Sequence, residues 1–256
     1  MRLGFVGTGA ITQAVVTGLV RVGAPFDSIA LSNRNAKTAA MLAAMDPRIR
    51  VFERNQDVLG ASDVICLAIR PQIAAEVLAE LTFRPSHHVI SFVAGMKMSE
   101  LRKQIGAVGT IVRAIPLPAV ADALGSTTLY PQDSVARQLF SHVGVAVEVE
   151  NEHQFDCLSA ATATMASFYA VLESQAQWLV SEGLDYGKAR SFLAAYSLGL
   201  AHGAKAVDTP FSDLVDQSMT PGGINEQVHR ELTAKANYEH YQYALTGVLD
   251  RIEGRR

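Results

Sequence analysis

Cysteine is nearly missing: Cys66 and Cys157 are the only two in 256 residues. They lie far apart, each inside an apolar run where a free thiol behaves as a small hydrophobe. That excludes a disulfide framework and zinc-binding spacing, so no metal is expected. Charge is also scarce, at 18% of residues against a typical share of about 25%. No block of Lys or Arg forms the basic stripe that neutralises a phosphate backbone, which removes nucleic acid as a partner. Long apolar runs are lacking too. The uncharged segment of the second half, Cys157 to Leu172, is interrupted by Ser and Thr and falls short of the roughly 20 residues needed to span a bilayer. The first residues form a short β-like run from Leu3 broken by glycines, without the basic start and long apolar stretch of a signal peptide. A cytoplasmic protein outside the membrane is expected.

Apolar residues make up 49% of the chain. With so few charges to cover them, this predicts more apolar surface than one monomer hides, and hence self-association. The length suffices for two compact units. From Arg2 to about Val149 a rhythm repeats: a short β-branched or aromatic run, a small-residue turn, then a helical stretch. This is the pattern of a parallel sheet with crossover helices. Strands are predicted at Leu3 to Val6, Ser28 to Leu31, Arg50 to Phe52, Val64 to Ala68, His88 to Val93, Thr110 to Arg113, Ser126 to Tyr130 and Val145 to Val149, with a helix near Ser134 to His142. The run Val64 to Ile69 has no polar alternation, as expected of a strand covered on both faces. After Glu150, Phe155, Leu158, Met165, Phe168, Leu172 and Leu179 recur at spacings of three, four or their sums, so this half reads as all helical. The fold class is therefore α/β: a doubly wound, mainly parallel sheet in residues 1–150, then a helical domain in residues 151–256.

The first predicted strand runs into Gly7-Thr8-Gly9-Ala10-Ile11-Thr12 and then a helix ending around Val22-Gly23. A dinucleotide site of the Rossmann type needs a glycine for the tight turn and another where backbone approaches a pyrophosphate. It also needs helix N-terminal amides, here those of Ala10 and Ile11, facing the anion. A purely structural glycine turn is the alternative reading. Thr12 replaces the usual third small residue, which predicts slightly wider packing of helix on strand. At the end of the second strand, no acid is present to accept from the adenosine ribose hydroxyls of NAD. Ser32-Asn33-Arg34 offers hydroxyl, amide and guanidinium groups suited to the extra phosphate of NADP. NADPH is thus expected rather than NADH, unless Arg34 is a solvated loop charge.

In order and spacing, several motifs resemble the pyrroline-5-carboxylate reductase family over nearly the whole chain: Gly7-Thr8-Gly9, Ser32-Asn33-Arg34, Cys66 to Gln72, Ser91 to Met96, Arg113-Ala114-Ile115-Pro116, and Asp213 to Gly223. The resemblance implies a Rossmann domain followed by a helical domain that binds substrate and dimerises, sometimes building larger rings. It implies hydride transfer from NADPH to the C=N carbon of a small cyclic imino acid, giving proline. By matching position, Asn55 would meet the adenosine ribose. Ala68, Arg70 and Pro71 would line the cofactor on the nicotinamide side, and Ala94 and Gly95 would supply backbone beside the dinucleotide. Arg70 stands where Lys is usual.

Departures from the family pattern gather at the acceptor end. Where family members carry Gly-Ser-Gly-Pro-Ala-Tyr, this chain has Thr162-Ala163-Thr164-Met165-Ala166-Ser167. The motif that usually ends Pro-Gly-Gly-Thr-Thr or Pro-Gly-Gly-Ala-Thr reads Pro221-Gly222-Gly223-Ile224-Asn225, and Met-Pro-Asn-Thr-Pro becomes Ile115-Pro116-Leu117-Pro118-Ala119. Substrate contact is expected from Thr162, Ala163, Thr164, Met165, Ala166, Gly222 and Gly223, with Asn225 as the catalytic candidate. Two bland readings stand beside these: mid-helix Thr hydroxyls bonding back to their own carbonyls, and Asn225 capping a helix.

Reducing an iminium needs a hydride donor held against an electrophilic carbon. The nitrogen already carries its proton, so no Ser-His-Asp constellation is required. Reducing a ketone does need a donor such as Lys, His or Tyr. Tyr169, Lys188, His202, Lys205, His229 and Tyr238 are the available donors, and Tyr169 shares a helical face with Glu173. Two alternatives remain. One is a reductase of the same fold acting on another imine or carbonyl compound, and the other is a non-catalytic NADP-binding regulatory protein.

Overall fold

The computed structural model describes residues 1–206 and 208–255. Their contacts divide into two compact units, Met1–Ser159 and Ala160–Arg256. In the first unit, strands β1 (Arg2–Val6), β2 (Ser28–Ser32), β3 (Ile49–Phe52), β4 (Val64–Leu67), β5 (His88–Ser91), β6 (Thr110–Pro116), β7 (Gly125–Tyr130) and β8 (Gly144–Glu148) form one sheet. The spatial order is β3-β2-β1-β4-β5-β6-β7-β8. Every neighbouring pair is parallel except β6 with β7. The reversal of strand order beside β1 puts a crevice at the carboxyl ends of β1 and β4, where open α/β sheets hold ligands.

Crossover helices α1 (Ala10–Arg21), α2 (Ala36–Ala43), α3 (Asn55–Ala61), α4 (Pro71–Ala79), α5 (Met98–Ile105) and α6 (Ser134–Ser141) link these strands. Successive strand side chains point to opposite faces. Leu3, Phe5, Val64 and Cys66 accordingly join one buried cluster with Leu19 and Phe140. Val6, Ile65 and Leu67 join a second with Leu59, Leu78 and Leu101. Burial in this dry layer pushes the Cys66 thiol pKa upward and leaves it inert.

The observed strands follow the sequence pattern closely, with two differences that have local causes. Strand β5 stops at Ser91, whose hydroxyl accepts the Val93 amide at 3.3 Å and turns the chain. Strand β6 continues to Pro116 because its second half pairs antiparallel with β7, Arg113 opposite Tyr130 through Pro116 opposite Thr127.

Helix α7 (Glu152–Ala161) begins in the first unit and is fastened there by a buried ionic cluster. Arg113 is 3% exposed and Asp156 is 1% exposed, and both guanidinium amines of Arg113 reach Asp156 Oδ1 at 3.3 Å. Glu152 Oε1 accepts from Arg113 and from the Met98 amide, each at 2.7 Å. Lys97 Nζ meets Asp156 Oδ2 at 2.5 Å. The Arg113 guanidinium also lies 4.2 Å above the Phe155 ring.

The second unit carries α8 (Met165–Ser181), α9 (Tyr186–Ala206), α10 (Phe211–Gln217), α11 (Ile224–Ala234) and α12 (Asn237–Ile252). Glu173 of α8 accepts the Tyr186 hydroxyl and the Gln177 amide, both at 2.7 Å, and these bonds hold its pKa below the ordinary carboxylate value. The sequence pairs Tyr169 with Glu173 on one face; the carboxylate turns to Tyr186 instead. Ala176, Ala189 and Leu193 form the small buried cluster of this unit, while Trp178, Phe192 and Leu198 are each more than 60% exposed.

Removing one member of a buried ion pair leaves the other uncompensated. Asp156→Ala should therefore destabilise the first unit by about 3 kcal/mol, measured as a lowered urea midpoint. Asp63→Ala, which breaks the exposed pair with Arg2, should leave that midpoint almost unmoved.

Candidate functional site

The turn from β1 into α1 is built for close approach. Gly7 has φ +102, and a Cβ there would fall 2.3 Å from the Ala68 carbonyl oxygen, so only glycine lets β1 and β4 end side by side. Gly9 is the N-cap of α1, with no side-chain cap and no acid in the first turn. A Cβ added at Gly9 would meet nothing within 4 Å. Helix-initial amides find no partner within the helix, so those of Ala10 and Ile11 remain to face an anion, where the helix dipole favours negative charge.

Hydroxyls lock this turn to β2. Ser32 is 1% exposed, and its Oγ accepts the Gly7 amide at 2.8 Å. Thr8 Oγ1 donates to the Ser32 carbonyl at 3.1 Å and accepts the Asn35 amide at 3.0 Å. Thr12, fully buried, donates its hydroxyl to the Gly7 carbonyl at 2.6 Å. A third glycine would leave that carbonyl without this partner.

Gly7, Thr8, Gly9, Arg34, Asn55, Ala68 and Arg70 line one cleft of about 150 Å³. The structure thus gathers seven of the sequence-predicted cofactor residues in one place. Asn33 joins Arg34 and Asn55 around an adjoining cavity of about 410 Å³. Ser32 lies buried behind the turn and Pro71 is the first residue of α4. Ala94 and Gly95 are exposed on the loop after β5. Among the described residues, the guanidinium groups of Arg34 and Arg70 have no hydrogen-bond or ion-pair partner. Arg54, in contrast, is turned onto Asp57 at 2.9 and 2.6 Å and holds that carboxyl below its ordinary pKa. The cleft's donor set therefore fits an anionic dinucleotide: free helix amides at one end and an unpaired guanidinium at the other.

Sequence reasoning missed two parts of this region. Val6, Ile69, Ile73 and Val77 form an apolar wall of the cleft, hidden in the sequence among core-forming residues. Glu53 accepts Asn33 Nδ2 at 2.9 and 3.1 Å. Its signal was available, since the residue following β3 must emerge beside the residue following β2.

The acceptor-side candidates lie in the second unit. Thr162–Thr164 form a 3-10 turn whose flanking residues, Ala161 and Met165, keep right-handed helical backbone. Helical backbone thus continues from this tighter turn into α8. Thr164 Oγ1 donates back to the Ala161 carbonyl at 2.8 Å, while Ala163, Met165 and Ala166 are exposed. In the Pro221-Gly222-Gly223 turn, the Gly222 amide donates to Glu226 Oε2 at 2.6 Å and the Gly223 amide to the Thr220 carbonyl at 2.8 Å. Asn225 Nδ2 reaches the Ser218 carbonyl at 2.8 Å. It therefore ties the turn to the end of α10 instead of capping α11, whose N-cap is Gly223.

Comparison with known proteins adds the following. Residues 2–95 match the profile of the family described as NADP oxidoreductase coenzyme F420-dependent. Residues 152–254 match that of pyrroline-5-carboxylate reductase dimerisation. The chain is 25% identical to a pyrroline-5-carboxylate reductase of Pseudomonas aeruginosa, over 98% of this chain and 95% of that protein. In fold it resembles a pyrroline-5-carboxylate reductase of Coxiella burnetii, with a TM-score of 0.86 and 23% identity over 98% and 97% of the two chains. It also resembles a Plasmodium falciparum pyrroline carboxylate reductase with NADP bound, with a TM-score of 0.83 and 20% identity over 99% and 97%.

If the Ser32 hydroxyl holds the turn in place, Ser32→Ala leaves the half-buried Gly7 amide unpaired. The unfolding free energy should then fall by about 1 to 3 kcal/mol, read in denaturant melts. Dinucleotide affinity should fall in the same protein, read by calorimetry.

Proposed function

The chain belongs to the pyrroline-5-carboxylate reductase family, and on that premise we propose that it is an NADPH-dependent reductase converting 1-pyrroline-5-carboxylate to L-proline. The observation that carries this reading is the unpaired Arg34 guanidinium on the same cleft as the uncapped start of α1. Bound NADPH would supply a hydride to the C=N carbon.

Residues 1–150 are assigned to the coenzyme. The amides of Ala10 and Ile11 and the turn Gly7-Thr8-Gly9 receive the pyrophosphate. Arg34 stands at the adenosine 2′-phosphate, with Asn33 and Asn55 beside it at the ribose. Ser32 serves them by fixing the turn, since its hydroxyl is already committed to Gly7. Ala68, Arg70, Pro71, Ala94 and Gly95 follow the strand ends toward the nicotinamide. The apolar wall of Val6, Ile69, Ile73 and Val77 excludes water from one side of the cleft, which strengthens the charged contacts on the other.

Residues 151–256 are assigned to the acceptor and to self-association. Thr162, Ala163, Thr164, Met165, Ala166, Gly222 and Gly223 line the acceptor side, and Asn225 is placed next to the reacting imine. Because the iminium nitrogen already holds its proton, an amide that orients it suffices and no acid is needed. By length and composition alone, the helical run Glu152–Ser181 would cross a bilayer. We assign its exposed apolar face to a second copy of the chain, since the run falls within the dimerisation match. A homodimer built through these helices, in the cytoplasm, is the resulting assembly.

One observation favours a second reading, in which the acceptor is a different imine or a carbonyl compound. Helical backbone flanks the 3-10 turn at Thr162–Thr164 on both sides, and amides in a helix interior are spent on its own carbonyls, so they do not form a free row that would cradle a carboxylate. Following NADPH oxidation with a panel of imino and keto acids and uncharged cyclic imines separates the readings. Proline formation from pyrroline-5-carboxylate is the expected result. Turnover confined to other acceptors would transfer the assignment to the second reading. Tight NADPH binding without turnover on any acceptor would identify a non-catalytic binding protein.

Arg34→Ala should weaken NADPH by about tenfold to a hundredfold, the worth of a charge-assisted bond, with NADH much less affected. Equal weakening of both coenzymes would reject the 2′-phosphate assignment.

A further inference from the structure

Strands β2 and β3 run parallel with Ser32 opposite Phe52, so Asn33 and Glu53 leave the sheet side by side. The Asn33 amide nitrogen donates to the Phe52 carbonyl at 3.0 Å, and its side-chain Nδ2 lies 2.9 and 3.1 Å from the two Glu53 oxygens. That contact also settles which way the Asn33 amide faces, since an amide oxygen would be repelled at such distances from a carboxylate. With Nδ2 committed to Glu53, Oδ1 is left as an acceptor. An acceptor suits a ribose hydroxyl and opposes a phosphate dianion.

Charges around this cavity do not balance in favour of phosphate alone. Asn33, Arg34, Glu53, Arg54 and Glu80 all line it, and Arg54 is neutralised by Asp57. That leaves the Arg34 guanidinium sharing the cavity with two carboxylates, Glu80 and Glu53, and the hydrogen-bond partner of Glu53 is a neutral amide. We infer that Glu53 is a coenzyme-selecting residue. By opposing Arg34 at the adenosine 2′-position, and by turning Asn33 into an acceptor, it admits NADH alongside NADPH. This rests on the nicotinamide-coenzyme reading above and specifies how selective that site is.

The test is equilibrium binding of NADPH and NADH, by calorimetry or nicotinamide fluorescence, to the wild-type chain and to Glu53→Gln at low and at high salt. Glutamine removes the charge and keeps an oxygen for Asn33, and the position is exposed, so folding is not at stake. Glu53→Gln should tighten NADPH about threefold to tenfold at low salt, as expected for one charge near a dianion in a water-exposed setting. NADH should stay within about twofold, and high salt should shrink the NADPH gain, because exposed charges are screened. An unmoved ratio between the coenzymes, or an equal change in both, overturns the inference while leaving the reductase reading intact. A wild-type chain that binds neither coenzyme overturns both.

Discussion

The hydroxyl of the buried Ser32 accepts the amide of the half-buried Gly7, and the geometry of the cleft follows from that bond. A glycine turn with positive φ has many neighbouring conformations available to it. The bond from Ser32, with Thr8 spanning the Ser32 carbonyl and the Asn35 amide, selects one. The same seryl residue precedes Asn33 and Arg34, so a single short segment sets both the glycine turn and the guanidinium end of the proposed coenzyme site. Binding of a flexible dinucleotide gains when the two ends of its site are already spaced before it arrives.

A second constraint acts across the sheet. Arg113 sits in the strand where parallel pairing gives way to antiparallel, and the carboxylates it meets belong to α7. Glu152 also takes the amide of Met98, so the loop carrying Ala94 and Gly95 is stitched to the helix that follows the sheet. Buried charge of this kind contributes little net stability when complete. What it supplies is a fixed register between the end of β6, the start of α5 and the start of α7.

Much of the first unit was legible in the sequence because its signals are local. Val64-Ile65-Cys66-Leu67 could only be a strand covered on both faces, and Gly7-Thr8-Gly9 could only be a turn between strand and helix. What was not legible depended on pairing between distant segments. The extension of β6 to Pro116 needs β7 as its antiparallel partner, and Arg113 shows its ionic role only once α7 is placed beside it. Glu53 was legible in principle, since parallel register alone sets it next to Asn33, yet a lone acid after a short strand carries no motif. In the helical unit the pattern correctly gave helices. The periodicity of Thr162 to Ser167 could not show whether the backbone breaks there, and the structure shows that it does not.

Among the described residues, the helical unit buries Ala176, Ala189 and Leu193 in its own cluster, with Leu172 and Leu179 partly buried against them, while extensive clusters cover both faces of the sheet. Three small or medium side chains are a poor reason for five helices to stay together. If the dimer proposed above covers their exposed faces, their persistence gains from mass action, with protein concentration itself acting as a stabilising agent. In a cell that makes two versions of this chain, such a dimer would not let a defect in one stay private, because each copy would lend the other part of its interior.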